Sequence, residues 1–576
     1  LISKDSTTSL RLNSSGATAL KLLKNKAKAL GLLSNPEACT QLLETVDLGS
    51  RVIDELKPGF KSEADKLLLI EEAIPLFESG MEAAYHLYSD SHDEAYIDTA
   101  FLYAEKSKSV LLLEVLLGTK ANTFAKIPDS ILQKERQLKS LIANAEKRLN
   151  RTKKQSPALE DELFSLRNAY RELSKTIESS YPAYFDLKYN TEVLTLAQVQ
   201  QELKNGPEML SYFYGARAIY VLGISEKAKS MHQIPLEDKL ETLIRNIHEG
   251  LSSTTLPAEE LGKLSYVLYQ KIVAPALSDN SQGKGLLVLP DGLLNYIPFG
   301  ALNTSADTLQ YLIEATPIAY SNSATLLGQL NERKFRSNSV LGFAPSFEEG
   351  RERQEANLLL PLPHNTSEVT EVLKSFKGDA YTATQASLKN CRARFPEYGI
   401  LHLATHAIYD DSRPEYSYLA FTPEEDEYLL YVRDLYQLEL DAALVTLSAC
   451  ESGIGELKGG EGFMSLARGF FYSGASSIAS TLWKINDASS ATLMGTFYQQ
   501  LAEGQTKDKA LQNSKLAFLK ANRQNALSHP YYWSAYVVSG NMDAIPEESM
   551  VVWYILGGTF IVVIGALIRK KLVQGS

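Results

Sequence analysis

Apolar residues recur at three- and four-residue steps through the first third of the chain, the spacing of amphipathic helices. SEADKLLLIEEAIPLFESGMEAAYHLYSDSH, residues 62–92, predicts one helix. DEAYIDTAFLYAEKSKSVLLLEVLLG, residues 93–118, predicts a second that ends on Gly118 as a C-cap. The polar SDSHD joins them, so the pair reads as a tetratricopeptide-like hairpin, although the repeat's Trp is missing: all three tryptophans lie at Trp483 or beyond. Two longer, charge-rich runs, 127–154 and 156–185, predict an antiparallel helical pair. Residues 1–195 are therefore expected to be all-α. They serve either as support for the domain after them or as a partner-binding surface.

Near residue 196 the period changes. Short apolar runs bounded by Gly, Pro and Asp appear: EMLSYFYGARAIYVLGIS, GLLVLPDGLLNYIPFGAL, SVLGFAPSF, YGILHLATHAIYDD, AALVTLSACESG, ASSIASTLW. Helical patterns such as TSEVTEVLKSF and EGFMSLARGFFYSG lie between them. Strands alternating with helices predict a parallel α/β sheet covered on both faces, with chemistry at the carboxyl ends of its strands.

Residues 549–568, SMVVWYILGGTFIVVIGALI, carry no charge, and a helix of this length spans a hydrocarbon core of roughly 30 Å. A transmembrane helix is expected there, followed by a basic tail, 569–576. The positive-inside rule puts Arg569–Lys571 in the cytoplasm and the bulk of the chain outside, in a periplasm if the source is Gram-negative. That orientation needs a signal peptide ahead of Leu1; a tail-anchored protein facing the cytoplasm is the alternative.

Composition narrows the classes. In 576 residues, 44% are hydrophobic, which excludes wholesale disorder, and a net charge of −11 argues against broad nucleic-acid binding. Three cysteines, Cys39, Cys391 and Cys450, make no disulfide framework but are compatible with a free functional thiol. There is no HExxH, no paired CxxC and no phosphate-binding P-loop pattern.

The chemistry gathers at two strand ends. LVTLSAC predicts a buried strand that delivers Cys450 to the sheet edge, and ESGIGELKGGEG leaves it as a Gly-rich loop. ILHLAT ends in the same way at His406. If the two strands are neighbours they lie about 4.8 Å apart, and the two side chains can face one site. A Cys–His pair is a complete nucleophilic unit. His402, inside its apolar run, reads as a satisfied core residue, His364 as a loop residue, and Cys39 and Cys391 as ordinary helix residues.

LHLATHA paired with LVTLSACESGIGELKGGEGFMSLARGFFYSGASSIASTLWKINDASS resembles the CHAT family of caspase-like cysteine peptidases. LVLPDGLLNYIPFGAL, YSNSATLL, LGFAP and SHPYYWSAYVVSG are similar to that family's landmarks and stand in its order. The resemblance covers about 196–543 and implies a caspase-like α/β/α sandwich within residues 196–545: a pseudo-caspase half, 196–335, and an active half, 338–543. It implies His406 as general base and acid, Cys450 as nucleophile, and the backbone N–H groups of Ala407 and Cys450 as an oxyanion hole; the family usually has Gly where Ala407 stands. Such a reaction needs no cofactor, and the missing HExxH and CxxC patterns argue against a metal site. Several caspase-like relatives cut after Arg or Lys, and Asp487 is the candidate acid for such a pocket, with Asp410, Asp411 and Glu461 behind it. Asp487 reads equally as the N-cap of the helix it precedes. The expected function is that of a cysteine endopeptidase gated by a protein partner on the N-terminal helices. A non-catalytic scaffold and a thiol transpeptidase remain alternatives.

Overall fold

The computed structural model describes residues 16–546, apart from residue 34 and residues 58–62, 109–111, 115–116, 118–126, 152–155, 182–191, 279–282, 334–336, 348–358, 411–415, 424–426, 437, 450–455, 459–461 and 465. Four helices open it: α1 (Gly16–Gly31), α2 (Pro36–Leu56), α3 (Glu63–Ser91) and α4 (Ala95–Lys106). Asn35 caps α2, its side chain accepting from Ala38 N at 2.8 Å, with Pro36 in the first turn, where a missing N–H is harmless. Each helix packs on the next in sequence. The second predicted helix is interrupted: α4 ends at Lys106, and residues 112–114 and 117 are helical again. Ser107 Oγ donates to Ala104 O at 2.8 Å, and the chain turns so that Glu105 and Lys108 point into the protein. Gly118 lies outside the described residues. The charge-rich pair appears as the antiparallel helices Asp129–Arg151 and Pro157–Ser180.

Sixteen strands come next among the described residues. They are β1 (Glu208–Tyr214), β2 (Ala218–Ile224), β3 (Lys229–Pro235), β4 (Leu286–Leu289), β5 (Ile318–Tyr320), β6 (Val340–Pro345), β7 (Gly378–Ala383), β8 (Ile400–Ala404), β9 (Ala407–Ile408), β10 (Tyr418–Ala420), β11 (Leu429–Tyr431), β12 (Leu444–Ser448), β13 (Glu456–Lys458), β14 (Gly462–Met464), β15 (Ser477–Thr481) and β16 (Tyr536–Gly540). Eleven form one continuous sheet in the order β3-β2-β1-β4-β5-β16-β15-β12-β8-β6-β7. The sheet is mixed, not all-parallel as the alternation predicted. β2 and β3 run antiparallel to their neighbours, because the three-residue link Gly215–Arg217 is too short for a crossover. β16 pairs parallel with β5 and antiparallel with β15, joining the two halves.

Alternation along the strands explains what covers each face. Leu210, Tyr212, Ile219, Val221, Leu286 and Val288 face the helices Asp238–Ser252 and Ala258–Ile272. Their neighbours Met209, Phe213, Tyr220, Leu222, Leu287 and Leu289 share a core with α1–α4. The N-terminal helices thus form one layer of the sheet's covering. In the second half, Leu401, Leu403, Val445 and Leu447 face the helices Leu388–Arg394 and Leu466–Ser473, while Ala404 packs with Val369 of the helix Asn365–Ser375.

Gly399 immediately precedes β8, and a Cβ there would collide with the carbonyl of Ser337, just before β6. Gly399→Ala is therefore expected to force β6 and β8 apart and cost at least about 3 kcal/mol, the upper end for overpacking, read as a lowered urea midpoint. An unchanged midpoint would show that the strand entry can shift freely.

Among the described residues no helix is long and apolar enough to cross a membrane; the segment 549–568 and the tail 569–576 lie outside them.

Candidate active site at the ends of β8 and β12

β8 and β12 are parallel neighbours in the register Ile400↔Leu444, His402↔Thr446, Ala404↔Ser448. The carboxyl ends stay joined past the strands, since Thr405 N donates to Ser448 O at 3.2 Å. His406 comes two residues after Ala404, and Cys450 two residues after Ser448 in the sequence. The register makes the strands that lead to the two residues direct neighbours. Cys450 itself, Asp411 and Glu461 lie outside the described residues.

His406 is only 8% exposed. Its ring packs on Phe347, centroid to centroid 4.8 Å, and its Nε2 lies 2.7 Å from the carbonyl oxygen of Leu360. A carbonyl can only accept, so Nε2 carries the proton and Nδ1 keeps its lone pair. The ring is thereby fixed in the tautomer a general base needs. Burial pushes the His406 pKa down, the Leu360 carbonyl opposes this, Lys484 adds to it, and Asp487 opposes it; the net shift is downward.

A lowered pKa keeps the imidazole neutral into mildly acidic solution, and the base form is lost only as pH falls through that lowered value. The acid limb of any His406-dependent rate should therefore lie below the ordinary histidine value of about 6.5. Lys484→Gln removes a repelling cation and should move that limb to higher pH. A pH–rate profile checks both; a wild-type limb above the ordinary value would contradict this environment.

Ala407 begins the small sheet β9-β10-β11. It is a strand residue outside the positive-φ region, so nothing in its backbone demands Gly, and its methyl is buried among Leu419 and Leu430. Asp487 is half-buried. It is not the N-cap: Asn486 caps the helix Asp487–Ala502, accepting from Ser489 N at 3.2 Å, which leaves Asp487 in the first turn. Burial raises the Asp487 pKa and Glu368 adds to this, while His364, His406 and Lys484 oppose it. Asp487 is one of the charges that His406 feels. Asp410 is half-buried beyond β9, its N–H donating to Ser417 Oγ at 3.1 Å.

His402 is a core residue, as expected, and fully buried. Cys39 and Cys391 are buried in α2 and in the helix Leu388–Arg394, and burial raises both thiol pKa values, keeping them protonated and inert. Among the described residues no cluster of three His, Cys, Asp or Glu could hold a metal. Pattern reading missed Leu360 and Phe347. The Leu360 contribution is a backbone carbonyl, which any residue supplies, so no side-chain signal could have marked it.

Residues 259–541 match the family model of the CHAT domain. These residues are thus a CHAT domain. The chain is 22% identical over 345 residues to mouse Tetratricopeptide repeat protein 28, covering 51% of this chain and 14% of that one. Against human Tetratricopeptide repeat protein 28 it is 28% identical over 119 residues, 21% of this chain and 5% of the relative. The chain thus spans a small part of the curated relatives it matches. Among solved structures, the Saccharomyces cerevisiae separase-securin complex aligns at 9% identity and TM-score 0.39, covering 91% of this chain and 48% of that one. The complex of Porphyromonas gingivalis RgpB pro- and mature domains aligns at 12% identity and TM-score 0.32, covering 54% and 78%.

Proposed function

We propose that this chain is a caspase-like cysteine endopeptidase working through His406 and Cys450. The observation that carries the reading is His406 itself: buried, held at Nε2 by the Leu360 carbonyl, and set beside the strand whose continuation is Cys450. Nδ1 takes the thiol proton, and the thiolate attacks the peptide carbonyl carbon. The backbone N–H groups of Ala407 and Cys450 hold the oxyanion. The imidazolium protonates the leaving amine as the C–N bond breaks, leaving a thioester on Cys450. The imidazole then deprotonates a water, which attacks the thioester and releases the acid and the thiol.

Asp487 is our choice for the acid that binds an Arg or Lys side chain before the cut, because it is half-buried and electrostatically coupled to His406. A protein partner on the N-terminal helices gates the site, since those helices share a core with the sheet. Residues 549–568 anchor the chain in a membrane. The other reading, a non-catalytic scaffold, draws support from the curated relatives, whose name records repeats alone. A labelled peptidyl-arginine chloromethyl ketone separates the two. It should modify the wild type at Cys450 and leave Cys450→Ala untouched; no labelling, with or without candidate partners, would favour the scaffold.

A further inference from the structure

Below His406 lies a set of buried polar groups that the reaction above does not use. Glu368, on the helix Asn365–Ser375, is 3% exposed, and its Oε1 lies 2.9 Å from Nε2 of His402 on β8. Its Oε2 accepts from Ser490 Oγ at 3.0 Å. Ser490 Oγ in turn lies 2.9 Å from Ser448 Oγ, at the end of β12, and 2.7 Å from the Tyr536 hydroxyl of β16. Tyr536 donates to Ser448 at 2.8 Å, closing a triangle. On the other side of His402, Nδ1 lies 3.2 Å from the Tyr498 hydroxyl, which donates to Thr446 Oγ1 of β12 at 2.8 Å. One turn before Glu368, Asn365 donates to the carbonyls of Pro345 and Ala404, at 2.8 and 3.3 Å, at the ends of β6 and β8.

The placement is selective. Ile400, Leu401, Leu403, Leu444, Val445 and Leu447 in the same two strands are apolar and fully buried. His402 with Ala404, and Thr446 with Ser448, are alternate residues on one face, the face from which the helices 365–375 and 487–502 reach in. Apolar packing there would be at least as stabilising as a buried charged network. What hydrogen bonds add, and apolar contact lacks, is a defined direction and length. They are concentrated in the last residues before His406 and Cys450.

We propose that Glu368 is a positioning residue of this site: through His402 and through Ser490–Ser448 it clamps the carboxyl ends of β8 and β12, so that His406 and Cys450 meet in register. The inference rests on the Cys–His reading above. The charged and titratable groups around the carboxylate are His402 from β8, Tyr498 and Asp487 from the helix 487–502, and Tyr536 from β16. Asp487 feels the charges of both Glu368 and His406 and lies between the network and the base electrostatically.

The test is alkylation of Cys450 by iodoacetamide against pH in the full chain, read by peptide mass spectrometry. Buried Cys39 and Cys391 serve as internal controls for an intact fold. In the wild type the midpoint should fall well below that of an ordinary thiol, about 8.5. Glu368→Gln should raise the midpoint toward that value and slow alkylation near neutral pH by roughly 10- to 100-fold, the scale of a misplaced reacting group. Ser490→Ala, which leaves the Glu368–His402 pair intact, should do the same in smaller measure, and it decides the matter if Glu368→Gln fails to fold. A wild-type midpoint at the ordinary value sinks the dyad and this inference with it. A low wild-type midpoint that neither variant moves sinks the clamp alone.

Discussion

Cys450→Ala is expected to abolish peptide hydrolysis while leaving the fold intact. The thiol is the only group in the proposed mechanism that becomes covalently bound to substrate. Loss of a nucleophile in such a unit costs at least about 10⁴-fold in rate, and removing the base as well adds little, because the two act together. His406→Ala should therefore be about as inactive as Cys450→Ala, and the double variant no worse. Cys450→Ala should also unfold at the wild-type temperature, since it removes one sulfur from a position where a small residue is retained. The measurement is turnover of a fluorogenic peptide ending in arginine, alongside a thermal melt of each variant. Wild-type turnover equal to that of Cys450→Ala, with both proteins folded and candidate partners both absent and present, would falsify the enzyme reading and leave the scaffold.

Glu105→Ala carries the largest expected loss of stability. Glu105 is 1% exposed, and its carboxylate accepts from Ala324 N, Thr325 N and Thr325 Oγ1 at 3.0, 2.8 and 2.7 Å, covering the start of the helix Ala324–Asn331. A negative charge at a helix N-terminus is well placed, and here it also joins α4 to the sheet-bearing part of the chain. Lys108, 4% exposed, donates to Ser211 Oγ at 3.3 Å, with Asp291 and Glu105 as its counter-charges. Burial pulls the Lys108 pKa down, and those two acids hold it up. Removing Glu105 strands three donors and weakens the support of a buried ammonium. The expected cost is about 3–5 kcal/mol, seen as a lower urea midpoint; Glu105→Gln, which keeps one acceptor, should cost less. If the N-terminal helices gate the site, Glu105→Gln should also change the response to a partner. No change in stability for either variant would mean that α4 is not anchored as described.

How much of this was legible depends on what kind of atom does each job. The strands that lead to His406 and Cys450 announced themselves as apolar runs ending in a polar residue, and the alternation of strands and helices carried the α/β reading. Hidden were the roles played by main-chain atoms and by residues distant in sequence. Leu360 acts through its carbonyl, 46 residues before His406, and no pattern of side chains encodes that contact. Nothing in the period of TSEVTEVLKSF sets Glu368 apart from Glu371; its burial depends on His402 and Ser490 meeting it from 34 and 122 residues away. At Asp487 two adjacent residues could both cap, and local geometry chose Asn486. The period predicted one helix up to Gly118, but the polar Glu105 and Lys108 turn inward and α4 ends at Lys106, with residues 112–114 and 117 helical beyond the interruption. Local periodicity cannot weigh a tertiary contact of that kind.

The seam between the two halves bears on when the protein can first act. β16 is the last of the eleven strands to be synthesised, yet it stands sixth in the sheet, between β5 and β15. A nascent chain that already holds both His406 and Cys450 still lacks the strand at its centre, and β5 and β15 remain unpaired edges until Gly540 leaves the ribosome. A site assembled in this way cannot complete its supporting sheet while the domain is still being translated. On the proposed peptidase reading, the topology would hold back activity until synthesis of the domain is finished.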